Sequence, residues 1–254
     1  MSEEDLLSLI DDKTSLVSVI HVNNETGAVN DINGLAYKIK KINPHTIFHS
    51  DGVQAYGKIP FMLSQDVDLY SLSAHKIGAL QGCGALIKRK NLVINPYIYG
   101  GGQENGLRSG TENVFGIKML EYAADKVYSG INAAYSRAEQ INSAIWDNLD
   151  KNLFKRVSPQ KGSPYILTVS ATGVRGETAM HAVNDKGLLT GTGSACSSNA
   201  AKRRSRVISA CGLNDEVADG ILRLSFCADN TLEEGLAAAK ILNETVAELK
   251  EALK

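Results

Sequence analysis

The sequence predicts an α/β protein: a mainly parallel sheet with helices on both faces, followed by a smaller α+β domain. Three observations carry this. Short apolar segments at 17–22, 46–50, 67–72 and 84–88 alternate with helical patterns, as strands joined through crossover helices do. Apolar residues recur at helical spacing in Ile32, Leu35, Ile39 and Ile42, and again in Val114, Ile117, Leu120, Ala124 and Val127; both stripes are expected to pack inward. Tyr128-Ser129-Gly130-Ile131 then punctuates a long helical region, so the domains are expected at 1–130 and 131–254. In the second part, an amphipathic stretch carries the sole tryptophan, Trp146. A strand follows at 165–170, a helix opens at Gly176-Glu177, a loop of small residues spans 191–198, and a strand at 222–226 leads to the last helix. That helix opens on a capping box, Thr231-Leu232-Glu233-Glu234, and Leu232, Leu236, Ala239, Leu242, Val246, Leu249 and Leu253 are its expected buried face.

Composition bounds the function classes. The 254 residues hold 27 Lys+Arg against 28 Asp+Glu, a net charge of −1, so no summed positive field favours nucleic acid or an anionic membrane. No direct nucleic-acid role and no membrane role are expected. The N-terminus, Ser2-Glu3-Glu4-Asp5, is acidic where a secretory signal is basic, and cytoplasm is the expected compartment. Cys83, Cys196, Cys211 and Cys227 are widely spaced, with no CxxC pair, so free thiols and no metal site are expected.

Two polar segments carry the candidate chemistry. Asp66-Val67-Asp68-Leu69-Tyr70-Ser71-Leu72 reads as a buried strand that runs into Ser73-Ala74-His75-Lys76, which places Lys76 where open α/β sheets bind ligands. A lysine there can condense with an aldehyde cofactor. Asp51, within His49-Ser50-Asp51-Gly52-Val53-Gln54 and at the end of a short strand, can keep a pyridine nitrogen protonated and so turn pyridoxal 5'-phosphate (PLP) into an electron sink. Taken alone, a lysine such as Lys76 is more often a solvated loop residue and an aspartate such as Asp51 more often a turn or cap; it is the combination that points to a cofactor.

These segments, with Val22-Asn23-Asn24-Glu25-Thr26-Gly27, the glycine-rich stretch at 100–113 containing Arg108-Ser109-Gly110-Thr111, and Gly193-Ser194-Ala195-Cys196-Ser197-Ser198, together resemble the cysteine desulfurases, PLP enzymes of the class-V aminotransferase superfamily. The resemblance implies that Lys76 binds the cofactor covalently, that Asp51 pairs with its ring nitrogen, that Gln54 meets its phenolic oxygen, and that Ser73 and His75 hold its phosphate. Asn24 would lie beside cofactor and substrate carboxylate. Thr111 would reach the phosphate of a neighbouring subunit's cofactor, which implies a homodimer. Cys196, in a run of small residues that leaves the backbone free, would take the substrate's sulfur as a persulfide. The other three cysteines are expected to be buried and inert. Arg223 alternates with Leu222, Leu224 and Phe226 along a strand, and its guanidinium suits an α-carboxylate. Lys202, Arg203, Arg204 and Arg206 read as a solvated helix face.

Against the family's pattern the chain begins well inside the usual length. The first strands, a phosphate-binding turn and a ring-stacking histidine lack counterparts, since His21, His45, His49, His75 and His181 align elsewhere. Exposed apolar surface or an unpaired strand edge is therefore expected. The expected activity is conversion of L-cysteine to L-alanine, with the sulfur passed to an acceptor protein such as an iron–sulfur scaffold or a tRNA-thiolation enzyme. The alternatives are a noncatalytic scaffold of the same family, or a related PLP lyase or aminotransferase such as selenocysteine lyase.

Overall fold

The computed structural model of the chain describes residues 2–193 and 205–253. By their contacts these fall into two units, Met1–Val22 with Asn30–Ile131, and Asn23–Val29 with Asn132–Lys254. The short segment Asn23–Val29 thus leaves the unit that surrounds it in sequence, a crossing that a single boundary near residue 130 does not include.

The first unit is built on a four-stranded sheet in the order β1 (Leu16–Ile20), β2 (Ile47–Asp51), β3 (Leu69–Ser73), β4 (Gly84–Lys88). The first three strands are parallel and β4 is antiparallel to β3. Parallel neighbours need a crossover, and α2 (Ile32–Ile42) supplies it between β1 and β2. Strand alternation sends Val17, Phe48 and Tyr70 to one face, where they pack with Leu35, Ala36 and Ile39 of α2. Leu6 and Leu7 of α1 (Glu3–Ser8) pack against the edge of that cluster. The opposite face carries Ser18, His49, Asp51, Ser71 and Ser73, all exposed or half-buried. On β4, Leu86 and Ile87 are 52% and 43% exposed, and among the described residues β1 and β4 each leave one edge unpaired.

Helix α3 (Val114–Ser129) forms where its periodicity places it, but only the C-terminal half of its stripe, Leu120, Ala124 and Val127, is half-buried. Val114 and Ile117 are 66% and 43% exposed, and the buried residues are Gly116 and Ala123. In its last turn Tyr128 stands edge-on to Tyr56 at a centroid distance of 5.2 Å.

In the second unit β5 (Phe154–Arg156), β6 (Ile166–Ala171) and β7 (Ile221–Ser225) form an antiparallel sheet in that order. All six residues of β6 are buried. Around Leu167, Val169, Leu222 and Leu224 pack α4 (Ile131–Asn148), α5 (Gly176–Asp185) and α8 (Leu232–Ala252) through Ile141, Ile145, Val183, Leu242 and Val246. Two short helices, α6 (Arg206–Ala210) and α7 (Asp215–Asp219), precede β7.

The capping box of α8 closes in both directions: Glu234 N donates to Thr231 Oγ1 (3.2 Å) and Thr231 N to Glu234 Oε2 (2.9 Å). Its buried face is narrower than the leucine spacing suggests. Leu232, Leu236 and Leu253 are 42%, 43% and 70% exposed, while Gly235, Ala238 and Ala239 face inward. Those small residues let helices approach closely; a Cβ at Gly235 would sit 3.1 Å from Ile141 Cγ2. Among the described residues no helix is long and apolar enough to cross a membrane.

Candidate functional site

In the first unit the site residues gather at the C-terminal ends of β2 and β3, the end at which open parallel sheets bind ligands. Asp51 closes β2, and its Oδ1 accepts the Val53 N–H (2.9 Å), the one hydrogen bond of the carboxylate among the described residues. Gly52 follows with its N–H on Ser71 O (2.8 Å). This position tolerates no side chain, because a Cβ would fall 1.9 Å from Tyr70 Cζ. The turn that follows presents Gln54, whose Oε1 accepts Lys58 Nζ (3.0 Å), leaving its amide N–H groups to donate elsewhere.

Strand β3 ends at Ser73, whose Oγ lies 2.8 Å from His75 Nδ1, and a 3₁₀ turn over Ala74–Ile77 carries Lys76. That turn is pinned by Ala74 N to Cys83 O (3.0 Å) and ends at Gly78, with φ of 85°. Lys76 is half-buried, and its ammonium has no hydrogen-bond or ion-pair partner among the described residues. Asp51 and Lys76 are thus held by backbone hydrogen bonds on neighbouring strands while their charged atoms keep capacity for a ligand.

Behind Asp51 lies a buried aromatic group. His21 N donates to Asp51 O (2.8 Å), its ring Nδ1 meets Tyr70 Oη at 3.0 Å, and its ring stands edge-on to Phe61. Burial pushes the His21 imidazole down to about 4 and the Tyr70 phenol well above its ordinary value. Because the folded imidazole titrates below an unfolded one, the unfolded chain binds more protons between these values. Stability is therefore complete above about pH 6.5 and drains as pH falls toward 4, by about 3 kcal/mol from this residue. His21→Gln is expected to remove that share of the acid sensitivity, read as the difference between the two proteins' urea midpoints across pH 7 to 4.

The second unit presents Arg223 and Asn24. Asn23 Oδ1 accepts the N–H groups of Glu25 and Thr26, both at 2.9 Å, in a tight turn, and Thr168 Oγ1 donates to Glu25 O. This holds Asn24 O where Arg223 Nη1 donates to it (3.0 Å). Leu222 and Leu224 are buried and Arg223 is half-buried, as alternation predicts; its backbone pairs on both sides with Gly191 (3.0 and 2.6 Å). Burial pulls the Arg223 guanidinium down, and nearby Glu25 opposes that shift. Arg223 Nε and Glu25 Oε2 are buried without hydrogen-bond partners. A guanidinium with spare donors beside a strand is suited to bidentate carboxylate binding.

Cys196 and its neighbours at 194–204, including Lys202, Arg203 and Arg204, lie outside the described residues. The other cysteines correct the expectation of burial. Cys211 and Cys227 are exposed and Cys83 is half-buried, because Cys211 caps the short α6 and Cys227 follows the last residue pair of β7 into a loop. Thr111 sits in an exposed stretch with no hydrogen bond to Ser73, His75 or Lys76. The sequence reading passed over His49 and Ser71, which share the face of Asp51, and Glu25 beside Arg223. Two-residue alternation back from Asp51 could have found the first.

The donor set suits PLP: a carboxylate with spare acceptor capacity, an amide free to donate, hydroxyl and imidazole at a strand end, and an unpartnered amine. Among known proteins, the aminotransferase class-V family matches residues 1–235. A NifS/IcsS protein homolog of Lactobacillus delbrueckii subsp. bulgaricus is 36% identical over 242 residues, covering 92% of this chain and 62% of that protein. The cysteine desulfurase IscS of Methanosarcina thermophila is 34% identical over 253 residues, covering 98% and 62%. A solved NifS-like protein superposes with a TM-score of 0.88 at 35% identity, covering 97% of this chain and 65% of that one. DndA from Streptomyces lividans gives 0.74 at 31%, covering 89% and 64%. The chain spans about three fifths of the length of the curated relatives it matches, 62% for both of these. With most of its length matched, the chain belongs to the aminotransferase class-V family.

Proposed function

We propose that this chain carries the cofactor- and sulfur-handling residues of a PLP-dependent cysteine desulfurase that converts L-cysteine to L-alanine. The observation that carries the reading is the placement of Asp51 and Lys76 at the ends of adjacent parallel strands, with spare carboxylate and amine capacity. When bound, PLP supplies an electron sink that holds the charge left on the substrate carbon. Lys76 Nζ would bind the cofactor's aldehyde carbon, Asp51 would hold the ring nitrogen, Gln54 would donate to the phenolic oxygen, and Ser73 and His75 would take the phosphate. Arg223, with Asn24, binds the α-carboxylate of cysteine. The Lys76 amine would move protons at the α-carbon of the bound amino acid, assisted by His75.

Cys196 then attacks the substrate sulfur as a thiolate. A sulfur–sulfur bond forms, the carbon–sulfur bond breaks with its electron pair left on the carbon skeleton, and protonation there gives alanine. The persulfide on Cys196 serves an acceptor, an iron–sulfur scaffold or a tRNA-thiolation enzyme. Thr111, exposed on its loop, serves the cofactor of a second copy, and a homodimer is the working form.

The chain mixed with PLP is expected to gain a visible absorbance band, and cysteine, with an added thiol to reduce the Cys196 persulfide, should then yield alanine and sulfide in equal amounts. Lys76→Ala is expected to lose both. Equal, colourless PLP uptake by the two proteins, with no alanine from either, would overturn the proposal.

A further inference from the structure

We infer that His49 is a positioning residue for the ring-binding carboxylate: it is strung between Ser18 and Ser71 beside Asp51 and leaves that carboxylate's charge for the cofactor's ring nitrogen. The inference rests on the PLP reading above and extends it to a residue not in contact with the cofactor.

Three neighbouring strands build the arrangement. His49 is two residues before Asp51 on β2, so both side chains leave the same face of the sheet. In the parallel register His49 lies opposite Ser18 of β1 and Asp51 opposite Ser71 of β3. The imidazole bridges these neighbours, with Nδ1 at 2.7 Å from Ser18 Oγ and Nε2 at 2.9 Å from Ser71 Oγ. Both ring nitrogens are therefore occupied, and both partners are hydroxyls.

A hydroxyl donates or accepts as required, so the neutral imidazole is fully satisfied in either tautomer. This would not hold if a carboxylate received one ring nitrogen, since that would favour the charged ring. Burial lowers the tendency of His49 to take a proton, and Asp51 opposes this from the same face. Among the described groups facing the ring, β1 offers the hydroxyl of Ser18, β2 the carboxylate of Asp51 and β3 the hydroxyl of Ser71. On β4 the same face carries Lys88, whose ammonium is turned away onto Arg89 O (3.1 Å) and Leu92 O (2.8 Å). Asp51 thus has no cationic side chain bonded to it, and a protonated ring nitrogen can become its partner.

The same geometry defines an acid-side failure. Protonating His49 places a cation beside Asp51 that competes with the pyridinium and weakens the hold on the ring. His49→Lys would fix that cation in place, whereas His49→Gln keeps a neutral donor and acceptor at the strand centre.

Two measurements separate this from a merely structural brace. In the PLP-free chain, the NMR titration of His49 is expected to move to lower pH in Asp51→Asn, because the neighbouring anion is gone; an unmoved titration overturns the coupling. In PLP titrations followed by absorbance, His49→Lys is expected to bind roughly tenfold more weakly than His49→Gln at pH 8, the scale of one repulsion near a protein surface. The wild-type affinity should also fall more steeply than that of His49→Gln as pH drops through the His49 titration. Equal affinities and parallel pH profiles, in variants with unchanged urea midpoints, would overturn the inference while leaving the PLP reading intact. No PLP binding by the wild-type chain would overturn that reading and this inference with it.

Discussion

Gly52→Ala is expected to leave the chain largely unfolded. An added Cβ would lie 1.9 Å from Tyr70 Cζ and 2.1 Å from both Cε1 and Oη, inside any tolerable contact. The tyrosine cannot yield. It is 1% exposed, bonded to His21 through its hydroxyl and packed against the Phe61 ring at a centroid distance of 5.4 Å. Nor can the backbone retreat, because Gly52 N is held by Ser71 O (2.8 Å) and Gly52 O receives the N–H groups of Ala55 (2.9 Å) and Tyr56 (2.8 Å). Ordinary overpacking costs about 1–3 kcal/mol, and a clash this deep into one fixed aromatic ring should exceed about 4 kcal/mol, most of the stability of a typical domain. Soluble yield and the urea midpoint read this directly. Adding Tyr70→Leu should recover part of the loss; a soluble Gly52→Ala protein with an unchanged midpoint would be incompatible with this packing. Since Gly52 follows Asp51, the same clash would displace the carboxylate proposed to hold the cofactor ring.

Cys196→Ser is expected to cut alanine formation at least about a thousandfold while leaving the visible cofactor band in place. A thiol ionises near pH 8.5 and attacks sulfur as the thiolate, whereas a serine hydroxyl stays neutral and makes no persulfide. Catalysis by an essential nucleophile usually falls by at least this factor when the group is removed. The assay is single-turnover alanine release, with persulfide followed by mass spectrometry on the intact chain. A lyase that expels sulfur without an acceptor thiol, or an aminotransferase, would scarcely notice the change, and that result would redirect the proposed reaction.

What was legible in the sequence divides by physical cause. Alternation placed Arg223 correctly because Leu222 and Leu224 on either side are buried at 0% and 3% exposure, and a strand's period of two leaves little freedom. The capping box of α8 was legible because its bonds are local, between Thr231 and Glu234. The first half of the α3 stripe misled because periodicity says which residues share a face but not whether anything covers it, and Val114 and Ile117 face outward while Leu120, Ala124 and Val127 are half-buried. The segments β5, α6 and α7, three to five residues each, are too short for a period; sheet pairing and the caps Ser205 and Asn214 define them. In the candidate site, the strand-end positions of Asp51, Ser73 and Lys76 were legible from motif and strand pattern. His49 was not, because its meaning depends on Ser18 and Ser71, which lie 31 and 22 residues away and meet only in the register.

The excursion of Asn23–Val29 has a consequence for dissecting the molecule. A polypeptide beginning at Asn132 would contain Arg223 and Thr168 but neither of the carbonyls they bond, Asn24 O and Glu25 O. Ser163 N would likewise lose Gly27 O, and β6 would lose a lid of backbone near Ile166. The second unit is therefore discontinuous in sequence. A fragment meant to report on carboxylate binding at Arg223 has to carry the early heptapeptide, supplied by circular permutation or as an added peptide.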